Sequence, residues 1–162
     1  MTEDDVTRLA RRLGRRARKR GIDIVTAESC TGGGVATAMT RISGSAKWFE
    51  RGFVTYTNVA KKEMLGVRQD TLRKYGAVSE EVAVEMARGA LKHSHADVSV
   101  AVTGIAGPTG GVPGKPVGTV HFAWAVRGGV VQARRFRFDG DRVEVRLQSV
   151  HVAIQGLIDL LR

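Results

Sequence analysis

A hydroxyl and a thiol stand side by side in Glu28-Ser29-Cys30-Thr31, directly after the run IDIVTA and directly before Gly32-Gly33-Gly34 and an alanine-rich helical pattern. A strand-to-helix turn of this kind leaves the first N–H groups of the new helix without helical partners. It can hold a nucleophile beside donors for an oxyanion, here the backbone from Thr31 to Gly33. Ser29 and Cys30 are the rival nucleophiles. The bland alternative is that Ser29 or Thr31 merely caps the helix, since both types favour that position. Cys30 would then be a small buried side chain.

A serine needs a base. No His or Asp lies near Ser29 in sequence, so a Ser-His-Asp arrangement has no local support. Tyr56, Lys61 and Lys62 instead gather where a second strand should end, at the sheet edge that Ser29 would occupy. A lysine accepts a proton only when neutral. Bringing it from about 10.4 to near 7 takes ~4 kcal/mol of environmental bias. Burial and neighbouring positive charge both act in that direction.

The loop GIAGPTGGVPGKPVG at 104–118 is the other chemical candidate. It is no Walker motif: counting back from Lys115 puts Thr109 where the first glycine belongs, and Pro116 takes the Ser/Thr position. Gly104, Gly107, Gly110 and Gly111 nonetheless remove the Cβ atoms that would keep a phosphate or ring away from the backbone. A flexible loop accounts for the same glycines. No metal site is expected. His93 and His95 diverge on a helix, His121 and His151 stand alone, and Cys30 is the only cysteine.

The elements that must position these residues follow from periodicity and punctuation. A helix is expected over 3–20, closed by Gly21. A strand over 22–27 and a helix over 31–41 come next, broken by Ser43-Gly44-Ser45. Phe49 to Thr57 reads as a strand. Asn58 is the expected cap of a helix reaching Leu65, Asp70 of another, and Ser79 of a longer one running to His93. Asp97 to Thr103 reads as a buried strand. Val117–Val126 and Val130–Phe138 read as an antiparallel pair turning at Arg127-Gly128-Gly129. A last helix covers 142–161. The expected fold class is α/β: a three-layer α/β/α sandwich with a mixed sheet of about five strands, as a single domain over 1–162.

The composition is globular, 43% hydrophobic and 26% charged, with a net charge of +10. Such a charge favours anionic partners, from nucleic acid to a small phosphate ester. Arg11, Arg12, Arg15, Arg16, Arg18, Lys19 and Arg20 supply much of it. Val6, Leu9, Ala10, Leu13 and Ala17 keep helical spacing among them, so these cations read as the solvated face of an amphipathic helix. Aromatics for base stacking are not interleaved, and no specific nucleic acid is expected. The apolar runs are too short for a bilayer. Glu3, Asp4 and Asp5 do not suit a secretory or transit peptide, and a cytoplasmic location is expected.

The same residues resemble a known family. AESCTGGGVA (27–36), WFERGFVTYTNVAKKEMLGV (48–67), GAVSEEVAVEMARGAL (76–91), VTGIAGPTGGVPGKPVGTVHFAWA (102–125) and FDGDRVEVR (138–146) are similar to the CinA C-terminal family in order and spacing. The resemblance implies hydrolysis of nicotinamide mononucleotide to nicotinic acid mononucleotide and ammonia, with no metal or organic cofactor. It implies a Ser29–Lys61 pair supported by Tyr56. Substrate contacts are expected from Thr31, Gly32, Gly33, Thr103, Gly104, Gly107 and Arg142. Thr109 and Val112-Pro113-Gly114 depart from the glycine or acidic residues that relatives often carry there. The further N-terminal domain of longer relatives is not expected in this chain. A pyridine nucleotide is the expected partner, and the apolar helices are compatible with a homo-oligomer. Two readings compete: a non-catalytic binding module of the same fold, and a basic nucleic-acid-binding protein.

Overall fold

Helix α1 (Glu3–Arg20) starts where Thr2 and Asp5 cap each other reciprocally, and it ends at Gly21, whose φ of 64° only glycine adopts freely. Val6, Leu9, Ala10, Leu13 and Ala17 are buried on one side, while Arg11, Arg12, Arg15, Arg18, Lys19 and Arg20 are exposed. The computed structural model describes residues 1–162. After α1 come β1 (Ile24–Glu28), α2 (Gly34–Thr40), a short 3-10 turn (Ser45–Lys47), β2 (Phe49–Val54), α3 (Asn58–Leu65), α4 (Gln69–Tyr75), α5 (Glu80–Lys92), β3 (Val98–Gly104), β4 (Thr119–Val126), β5 (Val131–Arg137) and α6 (Arg142–Leu160).

One mixed sheet holds all five strands in the order β2-β1-β3-β4-β5. β1 runs parallel to both β2 and β3, and the β3–β4 and β4–β5 pairs are antiparallel. Alternate side chains on the strands feed two separate cores. Val98, Val100, Val102, Phe122 and Trp124 face α1, α2 and α6. Ala101, Ala123 and Ala125 face α3, α4 and α5. Small strand residues on the second face let α5 lie close. Gly89 of α5 completes that approach, because a Cβ there would sit 1.9 Å from the Leu65 carbonyl oxygen at the end of α3.

Of the expected boundaries that move, four do so for a clear local reason. The helix expected from residue 31 begins at Gly34, because Gly32 and Gly33 take positive φ and hold residues 29–33 in a turn. The strand expected to reach Thr57 stops at Val54. Thr57 caps α3 by accepting from the Ala60 N–H, a role the sequence had suggested for Asn58. α4 begins at Gln69 without a side-chain cap, and Asp70 pairs with Arg73 instead. β4 starts at Thr119, since residues 117 and 118 still belong to the loop. No helix is long and apolar enough to cross a membrane.

Candidate active site

Parallel pairing places the carboxyl ends of β1, β2 and β3 at one edge of the sheet, the usual location of ligand crevices in such folds. Ser29 follows β1, the segment 55–61 follows β2, and Thr103 and Gly104 end β3. A pocket of about 270 Å³ opens among them, with Ser29, Cys30, Tyr56, Lys61, Thr103 and Arg142 in its walls. None of the four histidines and no carboxylate lines it.

Lys61 sits in α3 and is 1% exposed. Its Nζ lies 2.9 Å from Ser29 Oγ, 2.9 Å from the Thr55 carbonyl oxygen and 3.3 Å from that of Tyr56. Carbonyl oxygens only accept. When Lys61 is neutral, its two N–H bonds go to those carbonyls, and its lone pair faces the Ser29 hydroxyl. When charged, its third N–H points along the same line. Burial pulls Lys61 down from 10.5 to about 8. A Cys30 thiolate would oppose this, but burial pushes the thiol up to about 12, so Cys30 is uncharged where Lys61 titrates.

A thiol held that high is a weaker rival to Ser29 at neutral pH, because the thiolate is the reactive form. Around the turn, the Gly32 N–H donates to the Ser29 carbonyl and the Gly34 N–H to that of Thr31. The Cys30 N–H has no partner in the chain and adjoins the pocket. On the far wall, the N–H groups of Ala106, Gly107, Thr109 and Gly110 are likewise unpaired.

Residues 6–161 match the model of the CinA C-terminal domain. The chain belongs to the CinA C-terminal domain family. It is 54% identical over 157 residues to the nicotinamide-nucleotide amidohydrolase PncC of Escherichia coli strain K12, covering 97% of this chain and 95% of that protein. The PncC of Pseudomonas putida is 52% identical, with 97% and 98% covered. Among solved structures, the competence/damage inducible protein CihA from Agrobacterium tumefaciens superposes with a TM-score of 0.95 at 50% identity, covering 98% of this chain and 96% of that one.

Within this CinA-family pocket, Ser29, Lys61, Tyr56, Thr103, Gly104, Gly107 and Arg142 come together. Thr31, Gly32 and Gly33 do not. The Thr31 hydroxyl donates to Glu28, the Gly32 N–H is spent within the turn, and Thr31 and Gly32 line a separate groove against α6. Tyr56 meets Lys61 through its main-chain carbonyl, while its hydroxyl accepts from Arg142 at 2.8 Å. Arg142 also donates to the Gly107 carbonyl at 2.8 Å, tying the glycine loop to Tyr56 across the pocket mouth. Packing accounts for two of the glycines. A Cβ at Gly104 would meet Val120 at 2.7 Å, and one at Gly107 would meet Val117 at 2.4 Å.

Sequence reasoning missed Asn58, Ala77 and Val78 in the pocket wall, and it missed the part played by Glu28. The signal for Glu28 was present. A carboxylate ending an otherwise apolar buried strand must find donors, and a helix opening on Gly33 has no side chain of its own to cap it.

Proposed function

We propose that this single domain hydrolyses the carboxamide of nicotinamide mononucleotide, giving nicotinic acid mononucleotide and ammonia through a Ser29–Lys61 dyad. The observation that carries the dyad is the 2.9 Å contact between Ser29 Oγ and a buried Lys61 whose other two polar neighbours are carbonyls. The PncC names of relatives more than half identical over nearly the whole chain support the substrate. Neutral Lys61 takes the Ser29 proton as Oγ attacks the carboxamide carbon, which the cationic pyridinium makes electron-poor. The Cys30 N–H, unpaired and beside the pocket, is the donor assigned to the oxyanion. The C–N bond breaks, ammonia leaves with the proton held by Lys61, and an ester on Ser29 remains. Water then attacks that ester, with Lys61 again as base, and the acid and free Ser29 are released. The unpaired N–H groups of Gly107, Thr109 and Gly110, with the uncommitted donors of Arg142, suit the phosphate. No metal or organic cofactor enters this scheme, and a buried thiol at the only cysteine fits a cytoplasmic setting.

Ammonia release from nicotinamide mononucleotide by the purified protein tests this reading. Ser29→Ala should be inactive and Cys30→Ala active. Release that survives in Ser29→Ala but not in a folded Cys30→Ala would transfer the chemistry to the thiol.

The pH profile gives an independent check. Because Lys61 must be neutral and titrates at about 8, kcat/KM should climb through pH 8 and level off above it. At pH 7 roughly a tenth of the free enzyme carries the neutral base. A bound pyridinium disfavours a second positive charge nearby, so the limb in kcat should lie at lower pH than the limb in kcat/KM. A flat kcat/KM between pH 6 and 9 would remove Lys61 as the base.

A further inference from the structure

Helix α2 is capped in an unusual way. Its N-cap is Gly33, which has no side chain to offer. The capping is done by Glu28, the last residue of β1 and 1% exposed. Its Oε1 accepts from the Val35 N–H at 2.8 Å, and its Oε2 from the Ala36 N–H at 3.0 Å. A third bond is not needed for capping: Oε1 also accepts from the Thr31 hydroxyl at 2.7 Å. Ser29 and Cys30 are the two residues between Glu28 and Thr31. One carboxylate therefore closes a loop around the nucleophile and pins it to the first turn of a helix.

The main chain of Glu28 reaches the other half of the dyad. Its carbonyl accepts from the Thr55 N–H at 2.8 Å. The carbonyl of that same Thr55 accepts from Lys61 Nζ. The side chain of Glu28 thus fixes the turn that carries the nucleophile, and its backbone fixes the strand exit that aims the base. We infer that Glu28 is a positioning residue for amide hydrolysis, holding Ser29 Oγ and the Cys30 N–H in register with Lys61 through its bond to Thr31 and its hold on α2. This rests on the amidohydrolase reading above. Glu28 does not line the pocket and acts without touching substrate.

Glu28→Gln tests the inference, because the amide replaces one of two acceptor oxygens with a donor that faces N–H or O–H groups. Misplacement of a nucleophile by as little as an ångström costs about 100-fold. The expected result is a fall in kcat of about that size with KM for nicotinamide mononucleotide little changed and the rise of kcat/KM through pH 8 retained, since Lys61 is intact. Thr31→Val, which deletes only the bond inside the turn, should lower kcat by about tenfold, and Thr31→Ser should restore it. The Glu28→Gln/Thr31→Val double variant should be no slower than Glu28→Gln alone, because both act through one contact.

A Glu28→Gln enzyme with the kcat of the parent overturns the inference. So does a Glu28→Gln loss confined to melting temperature while Thr31→Val turns over normally, which would make Glu28 a helix cap and nothing more. Should Glu28→Gln fail to fold, the contrast between Thr31→Val and Thr31→Ser decides alone. A parent protein that releases no ammonia from nicotinamide mononucleotide takes down the functional reading and this inference together. An active parent with indifferent variants takes down only the inference.

Discussion

Replacing Lys61 with Met is expected to cut turnover on the order of 10⁴-fold, the upper end of what a positioned general base contributes. Met fills a similar volume without a proton acceptor, so substrate binding measured by calorimetry should persist. Stability should respond as well. The folded chain releases the Lys61 proton at about 8, against an ordinary value of 10.5. Above pH 9 the raised Cys30 thiol acts in the opposite sense in parent and variant alike, but between those two values Lys61 is more protonated in the unfolded chain than in the folded one, so its contribution to parent stability should rise with pH. The rise amounts to roughly 3 kcal/mol across that window. Lys61→Met should lack that rise. At neutral pH the variant sheds the penalty of a buried charge. It also strands the Thr55 and Tyr56 carbonyls, at about 1–3 kcal/mol each, so the net change there is small. Chemical denaturation of both proteins at pH 7.5 and 10 measures the difference. Parallel pH dependence in the two would mean that Lys61 does not titrate in this range.

The second large effect is expected far from the pocket. Gly89→Ala improves intrinsic helix propensity by about 1 kcal/mol. Its new Cβ, however, would lie 1.9 Å from the Leu65 carbonyl oxygen, a main-chain atom that cannot rotate away. Overpacking of this kind costs about 1–3 kcal/mol, so the clash should win and the melting temperature should fall. α3 must retreat from α5, and α3 carries Lys61. A displacement passed along that helix should lower kcat by about tenfold or more. Unchanged melting and unchanged kcat would show that the helices separate without disturbing the base.

Local chemistry made much of this molecule readable. The alternation of apolar and basic residues gave α1, and Gly21 marked its end. The valine-rich run at 98–102 gave a buried strand. Ser79 caps α5 with its own side chain, which a sequence displays directly. Legibility failed where a partner is distant or unexpected. Arg142 is engaged by Gly107 and by Tyr56, 35 and 86 residues away. Glu28 caps a helix that begins six residues downstream, beyond the reach of any capping pattern. The triple glycine suggested an oxyanion cradle from Thr31 to Gly33, yet the positive φ of Gly32 and Gly33 folds that stretch back on itself and away from the pocket. Lys61 was visible as a residue, and family resemblance tied it to Ser29. Its burial and its two carbonyl acceptors depend on how β1 and β2 lie side by side.

The groups that aim the amine are peptide oxygens, which every amino acid supplies. Their direction is written in the path of the chain between β2 and α3 rather than in the identity of residues 55 and 56. The mouth of the crevice, where the Tyr56 ring is exposed, is therefore open to redesign for bulkier amides, while the orientation of the proton acceptor is inherited unchanged.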